Sequence, residues 1–373
     1  MHSPRAPMIR YHALKYCALK VLSHEASHAA GPVREVDFLR KIGQKVAEVD
    51  DSGETCSIFF GLSDHVAVLQ DDFFISGPPQ SEGNEPTRHL CLVMHLYSTS
   101  VSALRRSSPT KALPIYMTRN IIYMLLQALV AVHAMGIVHT DVKLDNLLFI
   151  EKRNVQENVL EKYLKENPPV QDRDSGMLVQ DEPIPSDWTF ESSAHDFELS
   201  TIYLIDFGHA EWANEKPHAE CWSPPSLRAP EVILGGEFGT ALDIWAVGCL
   251  AFELLTGRWL FNPVDGEEDW TIEDDHLAKM QELTGQQFSE AVLARAARRD
   301  EYFDKRGNLL RIPDLIPVSI EQAIENYNVP GVIKEQIGAL AEFIRDCLNL
   351  DPAQRKTAGD LQNHGFFNVV GPC

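Results

Sequence analysis

The sequence lacks any arrangement of cysteines that would hold a structural metal ion. Seven cysteines occur among 373 residues, and none forms the C-x-x-C pair typical of zinc sites. Because the count is odd and no pairing pattern is visible, we expect reduced thiols, as in the cytoplasm or the nucleus. The first twenty residues carry several basic side chains and have no apolar core, so no secretory signal is predicted.

Basic residues are scarce. Lys and Arg total 33 against 54 Asp and Glu, which gives a formal net charge of -21. Such a balance argues against direct nucleic-acid binding and against docking on anionic membranes. The charge suits a protein that attracts a basic partner, although solubility alone explains it equally well.

Long apolar runs are also few. The one extended run, Ile121 to Val138, is interrupted by Gln127 and His133 and is short for a membrane span. A helix that is apolar nearly all round is typical of the core of a large domain. We therefore predict a buried core helix and no membrane partner.

The pattern of elements predicts a mixed α+β protein with two lobes. Residues 1–97 are expected to form a small, β-rich lobe and residues 98–373 a mainly helical lobe, with an insertion at about 151–198. The insertion combines a short amphipathic helix with a polar tail, Asp172 to His195. Strands are predicted at 16–22, 66–69 and 89–94, and helices at 32–42, 118–135, 243–256, 273–282, 287–297, 320–327 and 334–347. Thr118 is predicted to cap the second helix, and Gly257 to end the third.

The strongest chemical signal follows the predicted core helix. It reads His139-Thr140-Asp141-Val142-Lys143-Leu144-Asp145-Asn146. Phosphoryl transfer to a hydroxyl group requires a carboxylate near the acceptor, a cation near the moving phosphate and a metal ligand close by. Asp141, Lys143 and Asn146 supply these three groups within six residues.

Further motifs occur in a fixed order after this loop. An apolar strand ends in Asp206-Phe207-Gly208, which places a metal-binding carboxylate at the edge of a cleft. The segment Ala229-Pro230-Glu231 comes next, followed by Asp243 and, much later, Arg355. Each motif alone is weak, but their joint occurrence in this order by chance is negligible.

This constellation resembles the eukaryotic protein kinase fold from about Tyr16 to Phe367. The resemblance implies a bilobal fold, ATP and Mg²⁺ as cofactors, and phosphoryl transfer to a protein substrate. Asp141 would orient and deprotonate the substrate hydroxyl, and Lys143 would neutralise the moving phosphoryl group. Asn146 and Asp206 would bind magnesium.

The resemblance also assigns a nucleotide site. Lys20 would hold the α- and β-phosphates and pair with Glu35, although Lys15, in a near-copy of the same motif, is a rival. Met94 would be the gatekeeper, and the segment around Leu96 would hydrogen-bond adenine, with Leu148 also lining the pocket. Structural roles are implied for an ion pair between Glu231 and Arg355 and for Asp243, which would brace the catalytic loop.

Thr140 points to one group of kinases. It replaces the arginine that most kinases carry at this position to receive an activation-loop phosphate, so activity without that phosphate is predicted. The His-Thr-Asp form is similar to the SR-protein kinases, which phosphorylate Arg/Ser-rich splicing factors. Seven acidic and no basic residues lie between Asp265 and Asp275. They are predicted to dock a basic, Arg/Ser-rich substrate, the alternative being a solvated loop without a partner.

The sequence departs from the family pattern in two places. No Gly-x-Gly-x-x-Gly motif precedes Lys20, because the first nineteen residues contain no glycine. We expect either a truncated chain or weak ATP binding as the consequence. Pro224 also stands where serine/threonine kinases usually have a threonine that contacts the catalytic aspartate, and Ser223 is a possible substitute.

A serine/threonine protein kinase, active as a monomer, is the function predicted. The alternative is a pseudokinase that binds basic peptides without turning over ATP; the missing glycine motif favours it and the intact Asp141, Lys143, Asn146 and Asp206 oppose it. A small-molecule kinase is disfavoured, because the Ala-Pro-Glu segment and the following helices serve peptide binding in the family.

Overall fold

The computed structural model describes residues 16–28, 30–52, 62–77, 86–150, 157–168, 170–171, 178–179, 184, 188–215, 223–267 and 269–368. A three-stranded antiparallel sheet, in the order β1-β3-β2, comes first in the described chain. The strands are β1 Ala18–Val21, β2 Leu69–Gly77 and β3 Thr87–Met94. Helix α1 Ala30–Ser52 packs against this sheet, and α2 Leu62–His65 follows. Lys15 lies outside the described residues.

The rest of the described chain is mainly helical, which confirms the α+β fold class. Two short antiparallel strand pairs frame the loops between the helices: β4 Ile137–Val138 with β9 Glu211–Trp212, and β5 Leu147–Phe149 with β8 Ile202–Leu204. In chain order the elements are α3 Val101–Ser107, α4 Ile115–Ala134, β4 Ile137–Val138, β5 Leu147–Phe149, α5 Glu157–Glu166, β6 Val170–Gln171, β7 Leu178–Val179, α6 Ala194–Phe197, β8 Ile202–Leu204, β9 Glu211–Trp212, α7 Pro230–Ile233, α8 Ala241–Thr256, α9 Ile272–Thr284, α10 Glu290–Leu293, α11 Arg299–Tyr302, α12 Ile320–Glu325, α13 Lys334–Cys347 and α14 Ala358–Gln362.

Helices α4 and α8 form the centre of the helical lobe. They pack against each other, and most of their apolar side chains are buried, although Tyr123 of α4 is 40% exposed. The apolar run predicted as a core helix therefore lies inside the protein. Helix α8 ends at Gly257, which has a φ of 72° and adopts the left-handed conformation that favours glycine.

The predicted strand at 66–69 was wrong in its extent. Strand β2 begins at Leu69 and continues to Gly77, while Val66 forms only an isolated bridge with Leu204. The adjacent Asp71 and Asp72 interrupt the apolar pattern, so the sequence did not predict a strand here. Asp72 is accommodated because Arg40 of α1 reaches it in a bidentate ion pair of 2.8–2.9 Å.

Three helix predictions also need correction. The helix predicted at 32–42 is longer, because α1 continues to Ser52. Helix α4 begins at Ile115 after Pro114, so Thr118 is not its cap; its hydroxyl instead donates to the Pro114 carbonyl at 3.3 Å. The helix predicted at 287–297 shortens to α10, which Ser289 caps. Local propensity predicted a longer helix than the packed loops around it allow.

Part of the predicted insertion belongs to the core. Its second half was predicted as a polar tail, yet Trp188 and Phe190 pack on the helical lobe and Phe197 is fully buried. The Phe197 ring contacts Tyr116 and Phe149 in edge-to-face geometry. Its first half contains α5, and residues 151–156, 169, 172–177, 180–183 and 185–187 lie outside the described residues.

Candidate active site

Three charged side chains from distant parts of the chain meet beneath the small sheet. Lys20 Nζ on β1 lies 2.9 Å from Glu35 Oε1 on α1 and 3.1 Å from Asp206 Oδ1. Glu35 is 2% exposed, so its carboxylate has little access to water. The structure thus brings together the predicted phosphate-binding lysine, its helix partner and one predicted metal ligand.

The three side chains of this triad change one another's pKa values. Burial alone lowers the pKa of Lys20, but the nearby charges of Glu35 and then Asp206 outweigh burial and raise it. Burial raises the pKa of Asp206 and the charge of Lys20 lowers it, and the net effect is a pKa below the usual value. Burial raises the pKa of Glu35, which Lys20 offsets only in part. At neutral pH Lys20 is therefore an ammonium group and Asp206 a carboxylate, the forms that bind phosphate and a metal ion.

The catalytic loop holds its three predicted residues in mutual contact. Lys143 Nζ lies 2.6 Å from Asp141 Oδ2. Asn146 Nδ2 donates to the Asp141 backbone carbonyl at 2.9 Å and to its Oδ2 at 3.1 Å. Asp141 and Asn146 are buried, whereas Lys143 is partly exposed. These contacts fix the direction of the Asp141 carboxylate before any substrate arrives.

Asp243 supports this loop from α8. Its Oδ2 accepts hydrogen bonds from the His139 backbone N–H at 2.9 Å and pairs with His133 Nε2 at 2.8 Å, while its Oδ1 accepts from Thr140 N–H at 2.9 Å. Thr140 has a φ of 66°, a strained conformation for a β-branched residue. The Asp243 carboxylate therefore holds the loop in a shape that it would not adopt alone.

Strand pairing brings the two predicted magnesium ligands together. Leu147 pairs with Leu204, and the Ile205 backbone N–H donates to the Asn146 carbonyl at 3.0 Å. Ile205 therefore lies opposite Asn146, and Asp206 is the next residue along the chain. Phe207 is fully buried, with its ring centroid 4.9 Å from that of His139.

The donor set suits magnesium better than zinc. One carboxylate and one amide supply oxygen ligands, and Mg²⁺ characteristically uses one or two such protein ligands together with water and phosphate oxygens. Within the described residues no three His, Cys, Asp or Glu side chains form a metal-binding group. A site that needs substrate phosphates to complete its coordination fits this arrangement.

The predicted nucleotide pocket is bounded by β3 and the segment that follows it. Met94 is half-buried at the end of β3, opposite Ala18 of β1. The chain then passes through Leu96 and forms an isolated bridge between Ser100 and Leu148 of β5. Met94, Leu96 and Leu148 are all partly accessible. Their contacts with adenine remain a prediction.

The segment after Asp206 is anchored at its far end. Arg355, whose side chain is 0% exposed, forms a two-pronged ion pair with Glu231 at 2.9 and 3.1 Å. Ser223 is buried, and its carbonyl accepts from Arg228 at 3.2 Å. Residues 216–222 lie outside the described part of the chain.

The acidic segment 265–275 divides into two parts. Asp274 is paired with Arg311 at 2.8 Å, Asp275 contacts Lys279 at 2.5 Å, and Glu273 lies 3.8 Å from Arg228. These acids belong to α9 and are largely neutralised by bases outside the segment. Three exposed acids of the preceding loop form no ion pair within the described residues: Asp265, Glu267 and Asp269. Glu268 lies outside the described residues.

Sequence reasoning missed several contacts of the site. His139 Nε2 bonds the Ile205 carbonyl at 2.9 Å, and Thr140 Oγ1 donates to the His209 carbonyl at 2.7 Å. Arg34 forms a 2.8 Å ion pair with Glu211. The only signal in the sequence was position, since Arg34 precedes Glu35 and Glu211 lies three residues after Gly208.

Comparison with known proteins finds similarity to protein kinases. The protein kinase domain model matches residues 192–367. The serine/threonine-protein kinase SRPK of Physarum polycephalum is 27% identical over 367 residues, covering 95% of this chain and 80% of that protein. Protein kinase dsk1 of Schizosaccharomyces pombe is 25% identical, covering 96% of this chain and 77% of its own. SRSF protein kinase 3 of Mus musculus is 35% identical over 168 residues, covering 45% of this chain and 29% of its own.

Proposed function

We propose that this chain, a protein kinase similar to the SR-protein kinases, transfers the γ-phosphate of ATP to serine or threonine in Arg/Ser-rich proteins. The observation that carries this proposal is the meeting of Lys20, Glu35 and Asp206 beside the loop that holds Asp141. These groups come from four separate segments, and phosphoryl transfer depends on their simultaneous placement.

Each side chain then has a chemical role. Lys20, held by Glu35, directs its ammonium group toward the nucleotide phosphates. Asn146 and Asp206 would hold magnesium, which when bound would neutralise charge on the phosphates. Asp141 accepts the proton of the substrate hydroxyl, and Lys143 stabilises the charge on the transferred group. Roles of this kind for a general base contribute about 10²–10⁴-fold in rate.

We test catalysis by magnesium-dependent transfer of labelled γ-phosphate from ATP to an Arg–Ser repeat peptide. Asp141→Ala is expected to abolish the transfer while the thermal unfolding curve stays cooperative. Asp206→Ala, which removes a predicted metal ligand, should also eliminate it. Near-normal transfer by Asp141→Ala would contradict the proposed role of that residue.

The exposed loop acids are the proposed docking site for the basic substrate. Asp265, Glu267 and Asp269 carry uncompensated negative charge, whereas Asp274 and Asp275 already have basic partners. Charge complementarity of this kind steers encounter more than it adds affinity. We therefore expect the loop to act mainly on association.

Substitution of the loop acids tests the docking proposal. The triple variant Asp265→Asn, Glu267→Gln, Asp269→Asn should raise KM for a long Arg–Ser peptide and leave kcat unchanged, with the effect diminishing at high salt. A matched variant removes the same charge from exposed acids elsewhere: Glu25→Gln, Glu325→Gln, Glu335→Gln. Equal KM values for the two triple variants would show that only net charge matters.

A binding module without catalysis is the alternative, and the missing glycine motif favours it. Within the described residues the small sheet has three strands, and β1 lies at its edge. Titration with ATP and Mg²⁺ separates the two functions. Peptide binding without nucleotide binding or transfer would favour the module, whereas transfer that disappears in Asp206→Ala would establish the kinase.

A further inference from the structure

Helix α1 contacts the segment that follows Asp206-Phe207-Gly208 through side chains that have no role in the proposed catalytic mechanism. Arg34 Nη2 lies 2.8 Å from Glu211 Oε2. The Phe38 ring packs on the Trp212 ring at a centroid distance of 4.5 Å. Lys41 Nζ lies 4.3 Å from the centroid of the Trp212 ring. We call these five residues the α1–β9 clamp.

The clamp uses one face of the helix. Positions 34, 38 and 41 are separated by four and three residues, so their side chains lie in a row along α1. Glu35 is the immediate neighbour of Arg34 and belongs to the same helical turn. A movement of α1 that broke the Lys20–Glu35 contact would therefore also displace the clamp, and the reverse holds too.

The charged part of the clamp is shielded from water. The side chains of Arg34 and Glu211 are 19% and 6% exposed. A buried carboxylate that loses its cation is strongly unfavourable, because no water replaces the lost interaction. The pair therefore favours the arrangement in which α1 and β9 stay together.

Strand β9 transmits this contact to the catalytic loop. Glu211 pairs with Val138, the residue before His139, and Trp212 pairs with Ile137. Lys41 Nζ also donates to the Met135 carbonyl at 3.0 Å, which links α1 to the end of α4. The clamp thus joins the helix that carries Glu35 to the strand pair that leads into the loop of Asp141.

We propose that Arg34 and Glu211 are positioning residues that hold α1 in the conformation where Glu35 reaches Lys20. The role rests on the proposed kinase function, since it matters for catalysis only if Lys20 binds nucleotide phosphates. The Arg34–Glu211 pair links α1 to the segment after Asp206 without any phosphate. This matters because Thr140, unlike the arginine it replaces, has no positive charge with which to bind an activation-loop phosphate.

The test uses single and double neutral substitutions in the full chain. Arg34→Gln should lower kcat/KM for ATP about tenfold or more, because the buried negative charge of Glu211 loses its ion pair with Arg34. The double variant Arg34→Gln, Glu211→Gln has no such charge and should recover to within about threefold of the unmodified chain, by the same argument. Arg40→Gln is the matched control, since Arg40 lies on the same helix but pairs with Asp72 and is 54% exposed.

A readout that needs neither nucleotide nor activity separates this inference from the proposed function. Lys20 is protected by Glu35 and Asp206, so its reductive methylation, followed by mass spectrometry, reports whether the contact persists. We expect several-fold faster labelling of Lys20, and faster amide exchange in α1 and β9, for Arg34→Gln but not for Arg40→Gln. Equal labelling and exchange in these two variants would overturn the inference, even if the chain proved inactive.

Glu211→Gln keeps the test decisive if Arg34→Gln does not fold. It removes the charge while leaving an amide that still accepts a hydrogen bond, so the fold is less perturbed. We expect an intermediate rise in Lys20 labelling. Labelling indistinguishable from that of Arg40→Gln would count against the clamp.

Discussion

Removal of Arg355 should destabilise the helical lobe far more than removal of any exposed arginine. The five N–H groups of its guanidinium all have acceptors within 2.6–3.1 Å. Two of these bonds go to the Glu231 carboxylate and three to the carbonyls of Ala241 and Asn349. The side chain also lies 5.1 Å from the centroid of the Trp245 ring. Arg355→Met preserves most of the volume and removes all of these bonds at once.

The size of the effect follows from burial. Arg355 is 0% and Glu231 5% exposed, so the variant would leave a carboxylate without a partner in the interior. Breaking one side of such a pair costs about 3–5 kcal/mol. Because domains are stable by only about 5–15 kcal/mol, this loss is a large fraction of the total. With a urea m-value of about 3 kcal/mol/M, the midpoint should fall by about 1–1.7 M.

Urea denaturation followed by fluorescence and circular dichroism measures this shift. Arg295→Met is the matched control, because Arg295 is 61% exposed in its pair with Asp351 and should change stability by at most about 1 kcal/mol. The double variant Glu231→Leu, Arg355→Met leaves no unpaired charge and should be more stable than Arg355→Met. The reasoning is refuted if Arg355→Met shifts the midpoint no more than Arg295→Met, or if the double variant is the least stable of the three.

Three further substitutions test other parts of the structure. Burial first, and then the charges of Arg228 and Lys279, lower the pKa of His276 to about 3. Between pH 6.5 and pH 3 the His276 imidazole binds a proton in the unfolded chain and not in the folded protein, so the free energy of unfolding should fall by about 1.4 kcal/mol per pH unit. Urea midpoints measured across this pH range should show a smaller dependence on pH in His276→Leu. Lys20→Met removes the cation that holds the pKa of Asp206 low and leaves two unpaired acids. The stabilisation contributed by ionised Asp206 is present above its ordinary pKa of 3.8 and is lost as pH falls below that value. The loss in Tm caused by Lys20→Met should therefore be largest at pH 7 and shrink below pH 3.8. Gly248→Ala would place a Cβ 2.7 Å from Cys347 Cβ and should cost about 1–3 kcal/mol by denaturant titration, whereas Gly338→Ala, with nothing within 4 Å, should not destabilise.

The catalytic residues could be predicted from the sequence because they lie in short contiguous motifs. The spacing of Asp141, Lys143 and Asn146 is fixed by one loop, and Asp206 directly follows a recognisable apolar strand. The α+β class followed in the same way from apolar periodicity, which also gave α13 its observed bounds. The roles of the predicted site residues remain predictions, although the structure places them beside one another.

Features that depend on long-range contacts could not be predicted. Asp72 reads as a break in a strand, because the sequence does not show that Arg40 lies beside it. Trp188 and Phe197 stand in a polar stretch, and only the packing of α4 and β5 around them reveals a core position. The acids of α9 read as an uncompensated cluster, yet Arg311, 37 positions after Asp274, neutralises one of them.

The contacts around Thr140 explain how residues 207–211 are held in place without an arginine at position 140. A threonine at a φ of 66° carries backbone strain of about 1–3 kcal/mol, so the surrounding structure must impose this conformation. Asp243 imposes it from the helical lobe, and the hydroxyl then donates directly to the His209 carbonyl at 2.7 Å. Two residues after His209, Glu211 forms the ion pair with Arg34. One neutral hydrogen bond and one buried ion pair thus hold the segment from both lobes. Neither contact depends on a modification, which is the physical basis for expecting activity without prior phosphorylation.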